Sequence, residues 1–328
     1  MESQKVCAVG LLLLVLVGGL WSCRSREDYS HMRGQLGLIR MDSVLMRGGG
    51  GQAVAQVDSG FATLWARMFG YEAQEGIAEF LDTFASDSSM QALQDTIFRV
   101  FPTTDRQARA LCEGFGRLHE LVPEVEIPRV YFCNGGFHTG YMMQPGVLGI
   151  ALDHFLGRRS PYYELLAIPR YQREGMEPAR VATDAIKGWL EGMYPLAPGR
   201  RTVLDHMVYY GKLLYISQQV LPDEPDSVNL TFGSAALTWL ERHEAAMWAH
   251  LSEQNVLFDT QPLVVSQLTQ PAPYTRAFGT DSPGRAAVWL GYRIVCAYMK
   301  ANRGVTLQAL YNNQDARSLL SAASYAPR

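Results

Sequence analysis

One short stretch of strand-like sequence interrupts a chain whose apolar residues otherwise recur at helical spacing. Residues 122–128 contain two prolines, and residues 129–133 form a strand candidate. A turn signal at 134–136 and a second strand candidate at 147–152 follow. This pattern predicts an α+β fold that is mainly α-helical, with a small β-sheet or hairpin embedded in it.

Helical spacing marks the segments on both sides of these strands. Two of the predicted helices start near Phe61 and near Pro178. The others cover 77–84, 90–101, 105–118, 203–220, 234–254 and 281–299. Four consecutive glycines at 48–51 predict a flexible break near the start. The segments show no fixed-length repeat, so a solenoid is not supported.

Length and charge bound the class of protein. The 328 residues suffice for one large domain or two small ones. A net charge of −3 provides no case for the basic face that nucleic acid requires, so nucleic-acid binding is not expected.

The N-terminus carries the signals of an exported lipoprotein. Lys5 precedes an apolar run at 9–20 that is too short for a permanent membrane span. The run ends in Leu20-Trp21-Ser22-Cys23, which resembles a bacterial lipobox. We expect a signal peptide at 1–22, a lipidated Cys23 with its tether over 23–55, and a single domain over 56–328. Lipid on Cys23 would anchor the protein to a membrane.

The remaining cysteines do not define a metal site or a disulfide framework. Cys112, Cys133 and Cys296 are widely and irregularly spaced. They leave room for one disulfide at most, and three buried thiols fit the pattern equally well.

Residues 234–254 contain half of a zinc-protease signature. The HExxH motif places two histidines at positions i and i+4, with glutamate as the general base. Here His243-Glu244 is followed by Met247 where the second histidine would stand. The apolar stripe of this helix consists of Leu237, Leu240, Met247 and Leu251. Glu244 fills the gap in that stripe, which predicts a carboxylate on the buried seam.

A carboxylate at that place needs a partner. Burial is costly unless the charge is paired or bound to metal. The predicted partners of Glu244 are Lys212, Arg285 and Arg293.

The histidines do not complete a metal site by spacing. His243 and His250 are seven residues apart, too far along one helix for both to reach one zinc. His206 has Tyr210 at its i+4 position. His154 follows a strand candidate as an isolated group. No metal and no cofactor are therefore predicted.

Several ordered blocks resemble the gliding-motility lipoprotein GldB family of Bacteroidota. The blocks are 149–157, 207–215, 239–248, 282–295 and 321–327, together with 39–42 near the start. The likeness covers most of the chain after the signal peptide and is densest from 147 to 327. The resemblance implies a role in the gliding machinery of the cell envelope, with no established reaction.

That family is remotely similar to zinc metallopeptidases that carry an HExxH helix and a third, glutamate ligand on a later helix. On this template, helix 203–220 takes the HExxH position and Glu244 takes the third-ligand position. The metal-binding set is absent, so the resemblance implies a zincin-like, degenerate metallopeptidase architecture.

Three functions follow from these observations. The leading hypothesis is a non-catalytic scaffold or interaction module, anchored in the outer membrane, facing the periplasm and contacting cell-envelope proteins. The first alternative is a metal-dependent hydrolase that uses Glu244 with one or two of His206, His243 and His154. The second is a protein that binds peptide or glycan in a relic protease groove, flanked by an exposed strand edge at 147–152.

Overall fold

A computed structural model describes residues 28–57, 59–71 and 76–327. The expected signal peptide and the expected lipidation site, Cys23, lie outside these residues. Within the described chain, no helix is both long and apolar enough to cross a bilayer.

The first part of the described chain is helical with one short strand. Its elements are α1 (Met32–Leu36), β1 (Ile39–Arg40), α2 (Met41–Gln56), α3 (Ser59–Met68), α4 (Ile77–Ser86), α5 (Ser88–Val100) and α6 (Asp105–Leu121). Helices α3 to α6 confirm the segments expected from apolar spacing. Asp87 starts α5, because its carboxylate accepts the backbone N–H groups of Ser89 and Met90.

The four glycines do not form the flexible break expected from the sequence. Helix α2 continues across them, and only Gly49 departs from helical geometry, with φ 73° and ψ 179°. A Cβ on Gly50 would lie 1.9 Å from the carbonyl oxygen of Ala78. The glycines therefore allow a kinked α2 to pack closely against α4.

The folded part of the chain begins well before residue 56. Met32, Leu36, Met41 and Leu45 are all buried. Strand β1 also pairs with β2. Residues expected to belong to the tether over 23–55 thus contribute to the core, because their apolar side chains find partners much later in the chain.

The sheet is mixed and contains four strands in the order β1-β2-β4-β3. The strands after α6 are β2 (Arg129–Cys133), β3 (Tyr141–Gln144) and β4 (Val147–Ala151). β2 pairs in parallel with β1 and β4, and β3 pairs antiparallel with β4. Both expected strands are present, and the mainly helical α+β fold is confirmed. The zincin-like architecture stays a prediction.

The prediction of an exposed strand edge at 147–152 is wrong. Strand β4 lies between β2 and β3, and all five of its residues are buried. The outer strand on this side is β3, which the sequence pattern did not reveal.

The second half of the chain is almost entirely helical. Its elements are α7 (Pro161–Leu165), α8 (Arg170–Arg173), α9 (Val181–Met193), α10 (Val203–Val220), α11 (Asp226–Asn229), α12 (Ser234–Glu253), α13 (Pro262–Thr269), α14 (Ala286–Ala301), α15 (Leu307–Asn312) and α16 (Ala316–Ala323), with short 3₁₀ turns at Leu152–Phe155, Pro178–Arg180, Val256–Phe258 and Arg276–Phe278.

Helix α14 begins later than its sequence signals indicate. Arg285 precedes it in a left-handed conformation, with φ 52°. The Ser282 hydroxyl, expected near the cap, instead donates to backbone carbonyls of the preceding turn, at 3.0 Å for Thr275 and 2.6 Å for Gly279. A local loop therefore replaces the expected serine cap.

Helix α10 is the central element of the second half. One face, with Leu213 and Ile216, packs into the core around the sheet, α6 and α9. The opposite face, with Val208 and Leu214, packs into a second core with α12 and α14. A helix that is apolar on both sides is buried between two layers. It thereby holds the residues around α9, α12 and α14 in fixed relation.

Candidate functional site

Glu244 on α12 has a basic partner, as expected for a carboxylate on the apolar stripe. Arg293 Nε donates to Glu244 Oε1 at 2.9 Å, and the Tyr325 hydroxyl donates to the same oxygen at 2.6 Å. The Glu244 side chain is 15% exposed. Burial, and then the Glu244 carboxylate, raise the pKa of Tyr325, so its phenol donates as a neutral hydroxyl. Glu244 thus ties α12, α14 and the C-terminal segment together.

Lys212 has a different role from the one expected. It is only 3% exposed. Its Nζ donates to the carbonyl oxygens of Tyr311 at 3.2 Å and Asn313 at 2.5 Å. These carbonyls lie at the end of α15, where a cation is favourable. Burial lowers the pKa of Lys212 to about 8. Lys212 therefore links α10 to α15 through hydrogen bonds and does not pair with Glu244.

The histidines do not converge on Glu244. His243 Nδ1 lies 2.7 Å from the carbonyl oxygen of Trp239, and the two rings stack with centroids 4.0 Å apart. His206 and His154 each bury an Nδ1 atom that has no hydrogen-bond partner in the described part of the chain. In residues 28–57, 59–71 and 76–327, no three His, Cys, Asp or Glu side chains are grouped so that they could hold a metal ion.

The three cysteines of the domain are free thiols. Cys112 and Cys133 are buried, and Cys296 is partly buried. Burial raises the pKa of each thiol. The wide spacing seen in the sequence corresponds to three separate positions in the fold.

A charged stripe on α9 and the turn before it forms a polar cluster that sequence reasoning missed. Arg180, Asp184, Lys187 and Glu191 follow one another at steps of four, three and four residues, which places them on one helix face. Arg180 Nη2 donates to Asp184 at 2.7 Å, and Lys187 Nζ donates to the same carboxylate at 3.2 Å. The side chains of Arg180, Asp184 and Lys187 are 13–16% exposed, so solvent reaches each of them in part.

Arg285, at the start of α14, adds a third cation to this cluster. Its guanidinium donates to the Thr231 carbonyl at 3.2 Å and lies over the Phe232 ring, 4.9 Å from the centroid. It is close enough to influence the ionisation of Lys187 and Glu191. Arg285 was expected to be a partner of Glu244, whereas the fold places it near Lys187 and Glu191 of α9.

Burial and the neighbouring charges both shift the pKa values in the cluster. Burial alone would raise the pKa of Asp184, but the cations Arg180 and Lys187 outweigh it and lower the value to about 2. Burial lowers the pKa of Lys187 to about 8, although Asp184 opposes the shift. Burial, with Arg180 adding to it, lowers the pKa of Arg285 to about 10. The site therefore holds its cations at an electrostatic cost.

Strand β3 packs along α9 beside the charged stripe. A Cβ on Gly188 would lie 2.5 Å from the Tyr141 ring, and a Cβ on Gly192 would lie 1.9 Å from Met143 Sδ. These two glycines let the outer strand of the sheet pack directly on α9. Tyr210 of α10 lies near Glu191 and Arg285, which influence its ionisation. We call this region, with the charged stripe of α9 as its floor and β3, Tyr210 and Arg285 beside it, the α9 cleft.

A buried carboxylate shapes the loop that leads from β2 to β3. Asp153 accepts the backbone N–H groups of Gly135 and Phe137, each at 2.6 Å. Burial raises its pKa to about 6, although the two amides oppose the shift. Asp153 therefore sets the path of the chain into the side of the α9 cleft.

Comparison with known proteins identified one family. A family model described as "Gliding motility protein GldB" matches residues 22–327. Neither the curated proteins nor the solved structures gave a match.

Proposed function

Because the chain belongs to the gliding motility protein GldB family, we propose that it serves in gliding as a non-catalytic scaffold or interaction module. The family is one of gliding-motility lipoproteins, which associates the chain with the cell envelope. In that setting, we propose that the domain works without catalysis.

One observation carries the non-catalytic proposal. The residues at the template positions of a zinc peptidase are engaged in structural bonds. Glu244 is held by Arg293 and Tyr325, and Lys212 on α10 is held by two backbone carbonyls. A carboxylate that accepts two donors on one oxygen stabilises packing between elements. These contacts support the interpretation that Glu244 and Lys212 belong to a rigid framework and not to an acid–base site.

The anchor and the membrane face belong to the same proposal. We propose that a lipid on Cys23 holds the protein in the outer membrane with the domain in the periplasm. The Leu20 to Cys23 segment supports the lipid, because it resembles a bacterial lipobox. Cell-envelope proteins are then the partners within reach.

The metal-dependent alternative is tested by the zinc content of the purified chain. The wild type and Glu244→Gln are compared by elemental analysis after exposure to zinc and removal of free metal. Glutamine keeps an oxygen at the Oε1 position, where both donors bind, and removes the charge that a metal ligand needs. We expect well below one zinc per chain in both proteins.

A matched control separates folding from ligation in this experiment. Glu241→Gln changes an exposed glutamate one turn away on α12. About one zinc per wild-type chain that is retained in Glu241→Gln and lost in Glu244→Gln would place a metal at Glu244, as the hydrolase alternative requires, and would overturn the proposal.

A further inference from the structure

We propose that the α9 cleft binds a carboxylate carried by an extended peptide segment of a partner protein. This inference rests on the proposed function, because it names the kind of partner that an interaction module would take. Two independent features support it. They are the balance of charge on the floor of the cleft and the outer edge of β3 at its side, which pairs with no further strand in the part of the chain that the structure describes.

The floor of the cleft carries an excess of positive charge. The three cations Arg180, Lys187 and Arg285 face only two carboxylates, Asp184 and Glu191. Asp184 accepts from both Arg180 and Lys187. One positive charge in the cluster therefore lacks a counterion among these carboxylates. A partly buried charge without a counterion is costly, and a bound anion would remove that cost.

One N–H group of the cluster also lacks an acceptor. Arg180 Nε is buried and has no hydrogen-bond partner among the described residues. The same guanidinium uses its Nη2 atom for Asp184. Arginine presents its N–H groups in a planar fork that matches a carboxylate, which accepts two parallel hydrogen bonds.

The size of the charge excess favours a carboxylate over a phosphate. A carboxylate has one negative charge and would balance the single excess positive charge. A phosphate monoester carries about −1.5 to −2 near neutral pH and would leave the floor negative next to Asp184 and Glu191. The nearby phenols Tyr141 and Tyr210 stay neutral, because burial raises their pKa values.

The backbone of β3 supplies the second feature. The Ala151 N–H donates to the Gly140 carbonyl at 3.0 Å. With the observed register, residues 140 and 142 therefore form the hydrogen-bonded pairs with β4, while Tyr141 and Met143 direct their N–H and C=O groups outward. The Thr139 hydroxyl donates to the Tyr141 carbonyl at 2.8 Å. The Tyr141 N–H and both backbone groups of Met143 face away from the sheet.

An extended peptide can pair with such an edge. Strand addition uses main-chain hydrogen bonds for affinity and side-chain contacts for specificity. Tyr141 packs on Gly188, the neighbour of Lys187, and Met143 packs on Gly192, the neighbour of Glu191. A peptide that pairs with β3 thus runs beside the charged stripe, and one of its carboxylates can reach the cations.

The test uses a library of random heptapeptides displayed with free C-termini, selected on the purified mature chain. We expect the selected peptides to share an Asp, a Glu or the terminal carboxylate at a fixed position. Converting that group to its amide should weaken binding to the wild-type protein about tenfold or more, because a charged hydrogen-bonded pair is lost. This comparison needs no protein variant.

Variants of the protein test each feature of the cleft separately. Lys187→Met should weaken binding of the selected acid peptides about tenfold or more. Arg170→Met removes a cation that is 94% exposed and should leave the affinity unchanged. Met143→Pro removes the outward N–H of β3 and should weaken binding, whereas Met143→Ala keeps that N–H and serves as its control. Thermal unfolding checks that each variant is folded.

The outcomes that overturn the inference are distinct. They are a selection that enriches nothing over the empty support, enriched peptides that bind equally well as amides, and folded Lys187→Met protein with unchanged affinity. Failure of the peptide experiment with low zinc content would remove this inference and leave the proposed function standing. A Glu244-dependent zinc site would remove the proposed function, whatever the peptides do.

Discussion

At the scale of single residues, the most informative group is a buried acid, Asp153, next to the isolated His154 in the sequence. Asp153 lies inside the fold, and each of its carboxylate oxygens accepts a backbone N–H of the loop after β2. Such bonds replace the missing secondary structure of that loop. Asp153 therefore positions β3 through the loop that precedes it.

We expect Asp153→Asn to destabilise the protein by about 2 kcal/mol at neutral pH. Asparagine offers one acceptor oxygen, so one of the two amides faces an NH₂ group and remains unpaired. Urea unfolding measures the loss, and Asp281→Asn at an exposed position is the control. A change below about 0.5 kcal/mol would show that these two bonds do not hold the loop.

The difference in unfolding free energy between wild type and Asp153→Asn should change with pH in one direction. The folded pKa of Asp153 is about 6, above its ordinary value of 3.8. The folded protein then binds more protons than the unfolded chain in this range. The added stabilisation from protonating Asp153 is therefore greatest below pH 3.8 and is lost as pH rises through about 6, whereas the two hydrogen bonds to its carboxylate remain at neutral pH. The gap in unfolding free energy between wild type and Asp153→Asn should be larger at pH 4 than at pH 7.

The residues around Glu244 show what a sequence can reveal at this scale. The gap in the apolar stripe indicated a half-buried carboxylate, and Arg293 was among its expected partners. The α9 stripe was missed, because charges at steps of three and four residues are typical of a solvated helix face. Its burial depends on β3 and Arg285, which come from distant parts of the chain.

At the scale of elements, the crossing of α10 and α14 depends on two glycines. A Cβ on Gly211 would lie 2.3 Å from the backbone carbon of Gly291, and a Cβ on Gly291 would lie 1.8 Å from the Met207 carbonyl oxygen. Backbone atoms cannot move aside as a flexible side chain can. The absence of side chains at both positions therefore allows the two helices to touch.

Gly211→Ala and Gly291→Ala should each lower the free energy of unfolding by about 2 kcal/mol or more, because overpacking outweighs the gain in helix propensity. Gly34→Ala is a matched control: it lies in α1 and its Cβ would have nothing within 4 Å. That change should be neutral or slightly stabilising. Equal stability of all three variants in urea unfolding would contradict the close crossing.

Long periodic helices were predictable, and short strands were not. Helices α10 and α12 carry enough apolar residues at helical spacing to be recognised locally. Strand β1 has two residues and β3 has four. Their strand conformation comes from pairing with β2 and β4, which no local pattern encodes.

At the scale of the whole molecule, the chain forms a helical framework in which α10 joins two apolar cores. The start of the domain was placed too late, because the charged residues at 24–31 resemble a tether, whereas the cores that bury Leu36 and Leu45 come from elsewhere in the chain. The α9 cleft likewise exists only once the sheet and the C-terminal helices are assembled. The proposed anchor at Cys23 would hold this framework at the membrane.

The central claim is that the protein supports gliding through its anchor and its framework, without acid–base chemistry at Glu244. Gliding speed tests it most directly, measured in cells whose only copy carries Glu244→Gln or Cys23→Ser, with protein levels matched by immunoblot. We expect normal gliding with Glu244→Gln, which keeps an oxygen for Arg293 and Tyr325, and loss of gliding with Cys23→Ser. Cells that make normal amounts of the Glu244→Gln protein but do not glide, while Cys23→Ser cells do, would contradict it.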